Sequence, residues 1–417
     1  MKEMLKKQNW WLWAPIGIGL AVRLLFLYVY GPEFTLDSDD RGYLKSARFL
    51  LEEGRLIYVH EDEPTVHIMP GLPFLLASVF FIFGSGAGGL FVAKIVMIFF
   101  GCLVIAGVYK LGEILFSKAA GSAAALLTAL YIPQIVTDNL TLTEAPFTAA
   151  FIWFIYFSIK LAHTHRQADF YWVIGLYLFM LMFRPTIALV PFLLLGYFVL
   201  TKYPLRKALK QFIVAFILLL VVLGPWWIRN YMAFDEFIPL SGGAGNPMLL
   251  GTYQGHGHKY GPPADDIILE LEEAHPEATR YVQNQYQMEA AKERISVMWN
   301  HNRDWFIDTY TWIKLRIQWE APFYWFEAFH ISSEMMRIMY LVLFWTGLVS
   351  FIGVFAYKYA LWKEGLLLSS FFIYFSVLNN IFFAYPRYNQ PLLPLLFLTM
   401  GGLVYVLQKR KRRRQNV

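Results

Sequence analysis

The chain has 417 residues, of which 57% are hydrophobic and only 16% charged, whereas an ordinary globular domain is about a quarter charged. This composition excludes an ordinary water-soluble domain and indicates that much of the chain meets lipid. The net charge of +6 does not indicate a nucleic-acid partner, because the basic residues lie in short loops and near the C-terminus, where membrane topology explains them.

Long apolar runs recur along the chain, and about 20 apolar residues are enough to cross a bilayer as a helix. Cys102 is the only cysteine, so a disulfide framework and a cysteine metal cluster are both excluded. We therefore predict an all-α polytopic membrane protein with about ten transmembrane helices, covering residues 10–30, 88–109, 119–136, 145–162, 170–184, 186–201, 211–228, 336–357, 362–382 and 391–407.

Basic loops predict which side of the membrane each helix end faces, because lysine and arginine are retained on the cytoplasmic side. The basic loops and tails are Lys2 to Lys7, Lys110 to Lys118, Lys160 to Arg166, Lys202 to Lys210, Lys358 to Lys363 and Lys409 to Arg414. They predict a multi-pass protein with both the N- and C-termini in the cytoplasm.

The apolar stretch 69–86 contains two prolines and is short for a span, so we predict a helix at the outer interface rather than a crossing. Two large segments then face outward: residues 31–87, the first outer loop, and residues 231–335, the large outer loop. Both carry many acidic residues and stretches suited to juxtamembrane helices.

Carboxylates cluster in two predicted outer loops. Asp37, Asp39 and Asp40 follow the first span, and Asp138 and Glu144 lie in the second outer hairpin. Acidic residues at these positions also fit ordinary helix N-termini. Glycosyl transfer, however, needs a base for the acceptor hydroxyl and a partner that orients it or holds a cation.

Three arginines lie at predicted outer ends of spans, next to proline or aromatic residues: Arg184, Arg229 and Arg387. Each alone fits snorkelling toward headgroups. Together they favour one shared anionic ligand, a lipid phosphate or pyrophosphate paired bidentately. His67 is a weaker candidate for the same site. Arg23 within the first span indicates an inward-facing partner, a function, or a side chain that snorkels outward.

At this point the sequence resembles the GT-C class of integral membrane glycosyltransferases, particularly bacterial relatives of protein O-mannosyltransferases and of the lipid A aminoarabinose transferase. The resemblance rests on the order of SDDRGYLKSARFLLEEG, LTEAPF, FRPT, PWWIRNY and YPRYNQPLLP. It implies a GT-C fold with the catalytic residues Asp39, as base, and Asp40, as helper, four and three residues before Tyr43. It also implies that Glu144, or alternatively Asp138, is the acidic residue of the second outer loop and that Arg387 binds the carrier phosphate.

Some members of this class use a divalent metal and others do not, so no cofactor is certain; a metal, if present, is expected at Asp39 and Glu144. The predicted function is the inverting transfer of a single sugar at the outer face of a bacterial plasma membrane. The expected partners are membrane lipids, a polyprenyl-phosphate sugar donor, and an envelope lipid, glycan or protein acceptor. The alternatives are a transporter or flippase of lipid-linked sugars, and a glycan polymerase or ligase.

Overall fold

A computed structural model describes residues 10–58 and 60–415, and the described residues form helices and no strand. The first half forms α1 (Trp10–Tyr30), α2 (Asp39–Glu53), α3 (Gly71–Phe83), α4 (Ala87–Leu115), α5 (Lys118–Leu130), α6 (Ile132–Thr137), α7 (Glu144–Thr164), α8 (Gln167–Phe183) and α9 (Val190–Leu200). The second half forms α10 (Leu205–Phe234), α11 (Gly245–Gly251), α12 (Ala264–Ala274), α13 (Arg280–His301), α14 (Arg303–Asp308), α15 (Lys314–Trp319), α16 (Ser333–Tyr357), α17 (Trp362–Ile381) and α18 (Leu393–Gln415).

Seven helical segments in this described part are long and apolar enough to cross a membrane: α1, α4, α7, α10, α16, and α17 and α18 with the turns before them. The shorter apolar helices are α3, α5, α8 and α9. The prediction of an all-α polytopic membrane protein is confirmed. Three of the ten predicted spans, those at α5, α8 and α9, correspond to these shorter helices and are not among the seven.

Prolines explain two of these shorter helices. The run 119–136 divides at Tyr131, between α5 and α6, because Pro133 has no N–H for the helical ladder and fits only the first turn of a new helix. Helix α8 ends at Phe183 because Pro185 forces the preceding Arg184 into an extended conformation.

Polar contacts join several predicted cytoplasmic loops at one end of the bundle. Lys358 donates to the carbonyl of Leu115 at 2.6 Å, and the side chains of His163 and Glu364 are 2.9 Å apart. Lys207 donates to the carbonyl of the residue that follows α7. The basic loops thus share one end, as the topology prediction requires. The segment Lys2 to Lys7 lies outside the described residues.

Helix α3 begins and ends at the opposite end of the bundle. A Cβ added to Gly71, where α3 begins, would be 2.5 Å from the carbonyl oxygen of Met182, near the end of α8. At its other end the carbonyl of Gly84 lies against Gly89, in the first turn of α4. Because α4 then runs to Leu115 at the basic end, this geometry supports α3 as a non-spanning helix.

Helix α7 occupies the centre of the bundle. Its side chains Phe147, Phe151 and Phe154 are almost fully buried, and the Phe151 ring meets Phe371 of α17 edge to face, with centroids 5.1 Å apart. Helices α10 and α16 instead expose most of their apolar side chains, which is the pattern of lipid-facing helices. The first residue of α7, Glu144, therefore lies at the centre of the end opposite the basic loops.

Candidate active site

Three charged side chains from distant parts of the chain meet at this end. Arg387 donates from Nη2 to Asp39 Oδ2 at 2.7 Å and from Nε to Glu144 Oε1. The Glu144 side chain is fully buried, whereas the Asp39 side chain is 38% exposed. A guanidinium presents several N–H groups in a rigid fork, so one arginine bridges two carboxylates. Asp39, Glu144 and Arg387, all singled out in the sequence, are thus brought together.

A second arginine completes this group. Arg184 Nη2 is 2.5 Å from Glu144 Oε1, and its Nε donates to Thr143 Oγ1 at 2.8 Å. A buried carboxylate is costly unless it is paired, and two guanidiniums here offset that cost for Glu144. We call Asp39, Glu144, Arg184 and Arg387 the arginine-carboxylate cluster; its two negative and two positive formal charges balance.

Helix breaks place these side chains at the end of the bundle opposite the basic loops. Arg184 has extended dihedrals, φ −145° and ψ 122°, because it precedes Pro185. Arg387 lies in a 3₁₀ segment, Pro386–Leu392, that starts at a proline. Glu144 is the first residue of α7, where a carboxylate also interacts favourably with the helix dipole.

Asp40 has a different environment from Asp39. Its carboxylate is buried and accepts hydrogen bonds from Thr35 Oγ1 at 2.6 Å and from the backbone N–H groups of Leu36, Ser38 and Arg41 at 2.8 to 3.2 Å. These contacts indicate that Asp40 fixes the loop that carries Asp39. This positioning role differs from the catalytic role predicted for it.

Tyr58 contacts the other oxygen of Asp39. Its hydroxyl donates to Asp39 Oδ1 at 3.0 Å, and its ring stacks on His67 with centroids 5.6 Å apart. Burial, followed by the proximity of Tyr43 and Asp39, raises the pKa of Tyr58, so its hydroxyl stays protonated and donates. His67 therefore lies behind Tyr58, and its contacts do not include Arg184 or Arg387, two of the three arginines with which it was predicted to act.

Arg229, the third predicted phosphate ligand, binds backbone instead. Its Nη1 donates to the carbonyl of Thr65 at 2.7 Å, and its Nη2 donates to the carbonyl of Leu56 at 3.3 Å. The guanidinium also lies over the Trp226 ring, 5.2 Å from the centroid. These contacts anchor the first outer loop to α10, and none of them reaches the arginine-carboxylate cluster.

Asp138, the alternative to Glu144 in the second hairpin, belongs to a separate ion pair. Arg23 Nε donates to Asp138 Oδ2 at 2.8 Å, and both side chains are fully buried. Arg23 also donates to the carbonyls of Gly19 and Ala129, and Asp138 accepts from Gln134. Asp138 is thus the inward-facing partner that compensates the cost of burying Arg23 in the first span.

Thr143 and Tyr58 are site residues that the sequence did not indicate. The only indication of Thr143 in the sequence is that it directly precedes Glu144, and nothing in the spacing relates Tyr58 to Asp39.

In the part of the chain that the structure describes, no group of three or more His, Cys, Asp or Glu side chains is arranged to hold a metal ion. Asp39 and Glu144 both pair with Arg387 in this arrangement.

The chain is similar to known proteins in part of its sequence and in its fold. The family model for dolichyl-phosphate-mannose-protein mannosyltransferases matches residues 62–228. A search of curated proteins gives no match. The archaeal oligosaccharyltransferase AglB from Archaeoglobus fulgidus, solved with an inhibitory peptide and a dolichol-phosphate, is similar over 98% of this chain and 52% of its own, with 14% identity and a TM-score of 0.59.

This chain has the GT-C fold of membrane glycosyltransferases. The apo form of the Archaeoglobus fulgidus oligosaccharyltransferase gives the same TM-score, 0.59, at 13% identity and the same coverage of 98% and 52%. ArnT from Cupriavidus metallidurans, bound to undecaprenyl phosphate, is more distant, with a TM-score of 0.47, 15% identity, and coverage of 94% of this chain and 78% of its own. The chain spans about half the length of the archaeal enzyme. The likeness to the archaeal enzyme, at 13 to 14% identity, shows the fold alone.

Proposed function

We propose that the chain transfers a single sugar from a polyprenyl-phosphate-linked donor to an acceptor hydroxyl, with inversion at the anomeric carbon. The observation that carries this proposal is the arginine-carboxylate cluster, in which Arg387 bridges a buried Glu144 and a part-exposed Asp39. The dolichol-phosphate bound to the similar archaeal oligosaccharyltransferase supports a lipid-phosphate donor.

Arg387 and Arg184 are the proposed ligands of the donor phosphate. Both lie where a helix ends near the membrane surface, and an arginine fork matches the oxygens of a phosphate. Glu144 is fully buried and pairs with both guanidiniums, so it holds them in position. Asp39 is the exposed member, and we infer that an incoming phosphate takes its place on Arg387.

Asp39 is the proposed base. Once the phosphate shares Arg387, the freed carboxylate accepts the proton of the acceptor hydroxyl. The acceptor oxygen then forms a bond to the anomeric carbon, while the bond from that carbon to the phosphate oxygen breaks. The phosphate keeps the bonding electron pair and leaves as polyprenyl phosphate, and the fixed positive charges of Arg387 and Arg184 stabilise it as it develops.

The proposed orientation puts this chemistry on the outer face of a bacterial plasma membrane, with both termini inside. The basic loops gather at the end opposite the arginine-carboxylate cluster, and basic loops are retained in the cytoplasm. Segments 31–87 and 231–335 are then the outer loops, and the acceptor is an envelope lipid, glycan or protein.

Binding of undecaprenyl phosphate to the protein in lipid nanodiscs, followed by native mass spectrometry, tests the phosphate site. The wild-type protein should bind it, and Arg387→Ala should lose that binding because the charge and the fork are both removed. Lipid and glycan mass spectrometry of cells with and without the gene should then show one sugar missing from an envelope component.

A transporter or flippase would leave the sugar attached to its lipid carrier. Release of polyprenyl phosphate from a lipid-linked sugar by the purified protein therefore supports transfer. Unchanged binding of undecaprenyl phosphate to Arg387→Ala would remove the arginine-carboxylate cluster from the donor site.

A further inference from the structure

The link between α17 and α18 carries Arg387, and its first residues are not helical. Residues 382–385 follow α17 as irregular backbone, and the 3₁₀ segment Pro386–Leu392 comes next. Pro386 forces the preceding Tyr385 into an extended conformation, φ −144° and ψ 134°. We call residues 382–392 the Arg387 link. Buried N–H and C=O groups outside a helix need other hydrogen-bond partners, so groups from elsewhere in the chain must supply them.

One glutamine of the large outer loop supplies both partners of Ala384. Gln254 lies in the turn after α11, and its Nε2 donates to the carbonyl oxygen of Ala384 at 2.7 Å. The backbone N–H of Ala384 donates in return to Gln254 Oε1 at 2.9 Å. Ala384 is only 1% exposed, so water has little access to either group. Both backbone polar groups of this buried residue therefore depend on a single side chain.

The backbone before Gln254 packs closely on the same link. A Cβ added to Gly251, the last residue of α11, would be 1.7 Å from the carbonyl oxygen of Phe382. Only glycine permits this close approach. The same carbonyl accepts a hydrogen bond from Lys314 Nζ at 3.1 Å. Because Gly251 and Gln254 contact the link two residues apart, at Phe382 and Ala384, the turn after α11 lies along the link.

The large outer loop also holds the link on the other side of Arg387. Gln318 Nε2 donates to Asn389 Oδ1 at 2.6 Å, and Asn389 Nδ2 donates to the carbonyl of Gln318. Both side chains are buried. Arg387 thus lies between two attachment points, Ala384 and Asn389, and the partner of each belongs to the large outer loop.

The contacts of Arg387 depend on where its backbone lies. Its Nη2 and Nε donate to different carboxylates, Asp39 and Glu144. Hydrogen bonds weaken steeply as their angles close, so two bonds from one rigid plane tolerate little displacement of the backbone. A phosphate bound bidentately makes the same demand. Ala384 is three residues before Arg387, so a shift at Ala384 displaces the guanidinium.

We propose that Gln254 is a positioning residue for the donor phosphate: by holding Ala384, it fixes the backbone from which Arg387 presents its guanidinium. This proposal rests on the proposed function, in which Arg387 binds that phosphate. The hydrogen bonds of Gln254 go to the Ala384 backbone, so it acts through Arg387 and does not itself bind the phosphate. The donor site then requires the docked large outer loop as well as the membrane helices.

Amide hydrogen exchange of the Arg387 link and binding of undecaprenyl phosphate, both measured on the full chain in lipid nanodiscs, test this role. Gln254→Leu keeps much of the side-chain volume but can neither donate nor accept a hydrogen bond. It should speed exchange of the Arg387 link about tenfold and weaken binding about tenfold. The matched control is Gln285→Leu, at an exposed glutamine of the same outer loop, which should change neither quantity.

The variant Arg387→Lys separates positioning from a general effect on the fold. Lysine lacks the rigid fork, so adding Gln254→Leu to Arg387→Lys should weaken the remaining binding less than about twofold. An equal tenfold loss in both backgrounds would mean that Gln254 supports only the fold, and it would overturn the proposal.

Two further results overturn the proposal: unchanged exchange of the Arg387 link in Gln254→Leu, or faster exchange with unchanged binding of undecaprenyl phosphate. Faster exchange in Gln254→Leu, with a wild-type protein that does not bind undecaprenyl phosphate, contradicts the proposed function and upholds the contact of Gln254 with the link. If Gln254→Leu does not fold, Gln254→Asn replaces it with the same expectations, because its side chain is one methylene shorter and does not reach both groups of Ala384.

Discussion

Two groups of arginines and carboxylates among the described residues differ in their exposure to solvent. The Arg23 and Asp138 pair is fully buried, and backbone carbonyls and Gln134 take up further hydrogen bonds around it. The arginine-carboxylate cluster has the same chemistry, but the Asp39 side chain is 38% exposed. The Arg23 and Asp138 pair is closed to solvent, whereas the arginine-carboxylate cluster opens to it.

This difference separates a structural ion pair from a reactive one. A closed pair has no route for a ligand, so removing one partner leaves an uncompensated charge and chiefly affects folding. In the open cluster a phosphate can replace Asp39 on the guanidinium of Arg387. Removing Asp39 should therefore affect the reaction more than folding. The predictions below test this contrast, beginning with the largest effect.

Asp39→Asn should lower turnover by about 10² to 10⁴, the usual contribution of a general base. The asparagine keeps the size of the side chain but cannot take the proton of the acceptor hydroxyl. Release of polyprenyl phosphate from a lipid-linked sugar donor measures this turnover. Binding of undecaprenyl phosphate should be at least as strong as in the wild type, because Asp39 no longer competes for Arg387.

Asp37→Asn is the matched control. Asp37 is two residues away and equally acidic, but it forms an exposed pair with Arg41 at 2.7 Å and does not contact the arginine-carboxylate cluster. It should leave turnover within about twofold, since exposed pairs contribute little. Equal, mild effects of the two substitutions would mean that these aspartates are only a solvated loop.

Arg23→Met should destabilise the protein by about 3 to 5 kcal/mol, because Asp138 is left as a buried unpaired charge. Thermal unfolding in detergent, followed by tryptophan fluorescence, measures the loss. The double variant Arg23→Met with Asp138→Leu should recover most of it, since both charges are then absent. Asp39→Asn should shift the same transition little; a large shift there would erase the proposed contrast.

Arg387→Lys should weaken binding of undecaprenyl phosphate about tenfold, because lysine keeps the charge but loses the fork that bridges Asp39 and Glu144. The elution volume in size-exclusion chromatography should stay unchanged. Arg41→Lys provides the control, since Arg41 lies in the exposed pair with Asp37. Equal affinities of both variants would show that charge alone binds the phosphate.

The fold could be predicted from the sequence because long apolar runs and basic loops respond to the membrane itself, which acts on each segment separately. Candidate site residues beside helix breaks could be predicted from the sequence as well. Glu144, Arg184 and Arg387 stand next to prolines or at helix starts, and those positions put polar side chains at the ends of spans.

The partners of these residues could not be predicted. Asp39 and Arg387 are 348 positions apart, and no local pattern joins them. Arg229 has the same sequence context as the other two arginines, but nearby backbone carbonyls take its N–H groups. Tyr58 follows a loop with no periodicity, so its contact with Asp39 depends entirely on tertiary packing.

Lys314 is a third kind of buried charge, and it sharpens the comparison. Its side chain is fully buried, donates to the carbonyl of Phe382 at 3.1 Å and lies over the Tyr310 ring. No carboxylate of the described residues forms a salt bridge with it. Burial lowers the pKa of Lys314 to about 7. Where Arg23 and Arg387 each pair with a carboxylate, Lys314 instead has a lowered pKa and gives up its proton more readily than an ordinary lysine.

Stability should therefore depend on pH through Lys314. Between pH 7 and the ordinary lysine pKa of 10.5, the unfolded chain binds a proton that the folded chain does not, so stability rises with pH, by at most about 1.4 kcal/mol per unit. Lys314→Met removes this dependence, and it should raise the melting temperature at pH 7 by more than at pH 9.5. Lys292→Met, at an exposed lysine paired with Glu289, is the control and should change neither value. A constant difference between Lys314→Met and wild type across this range would mean that Lys314 keeps its proton when folded.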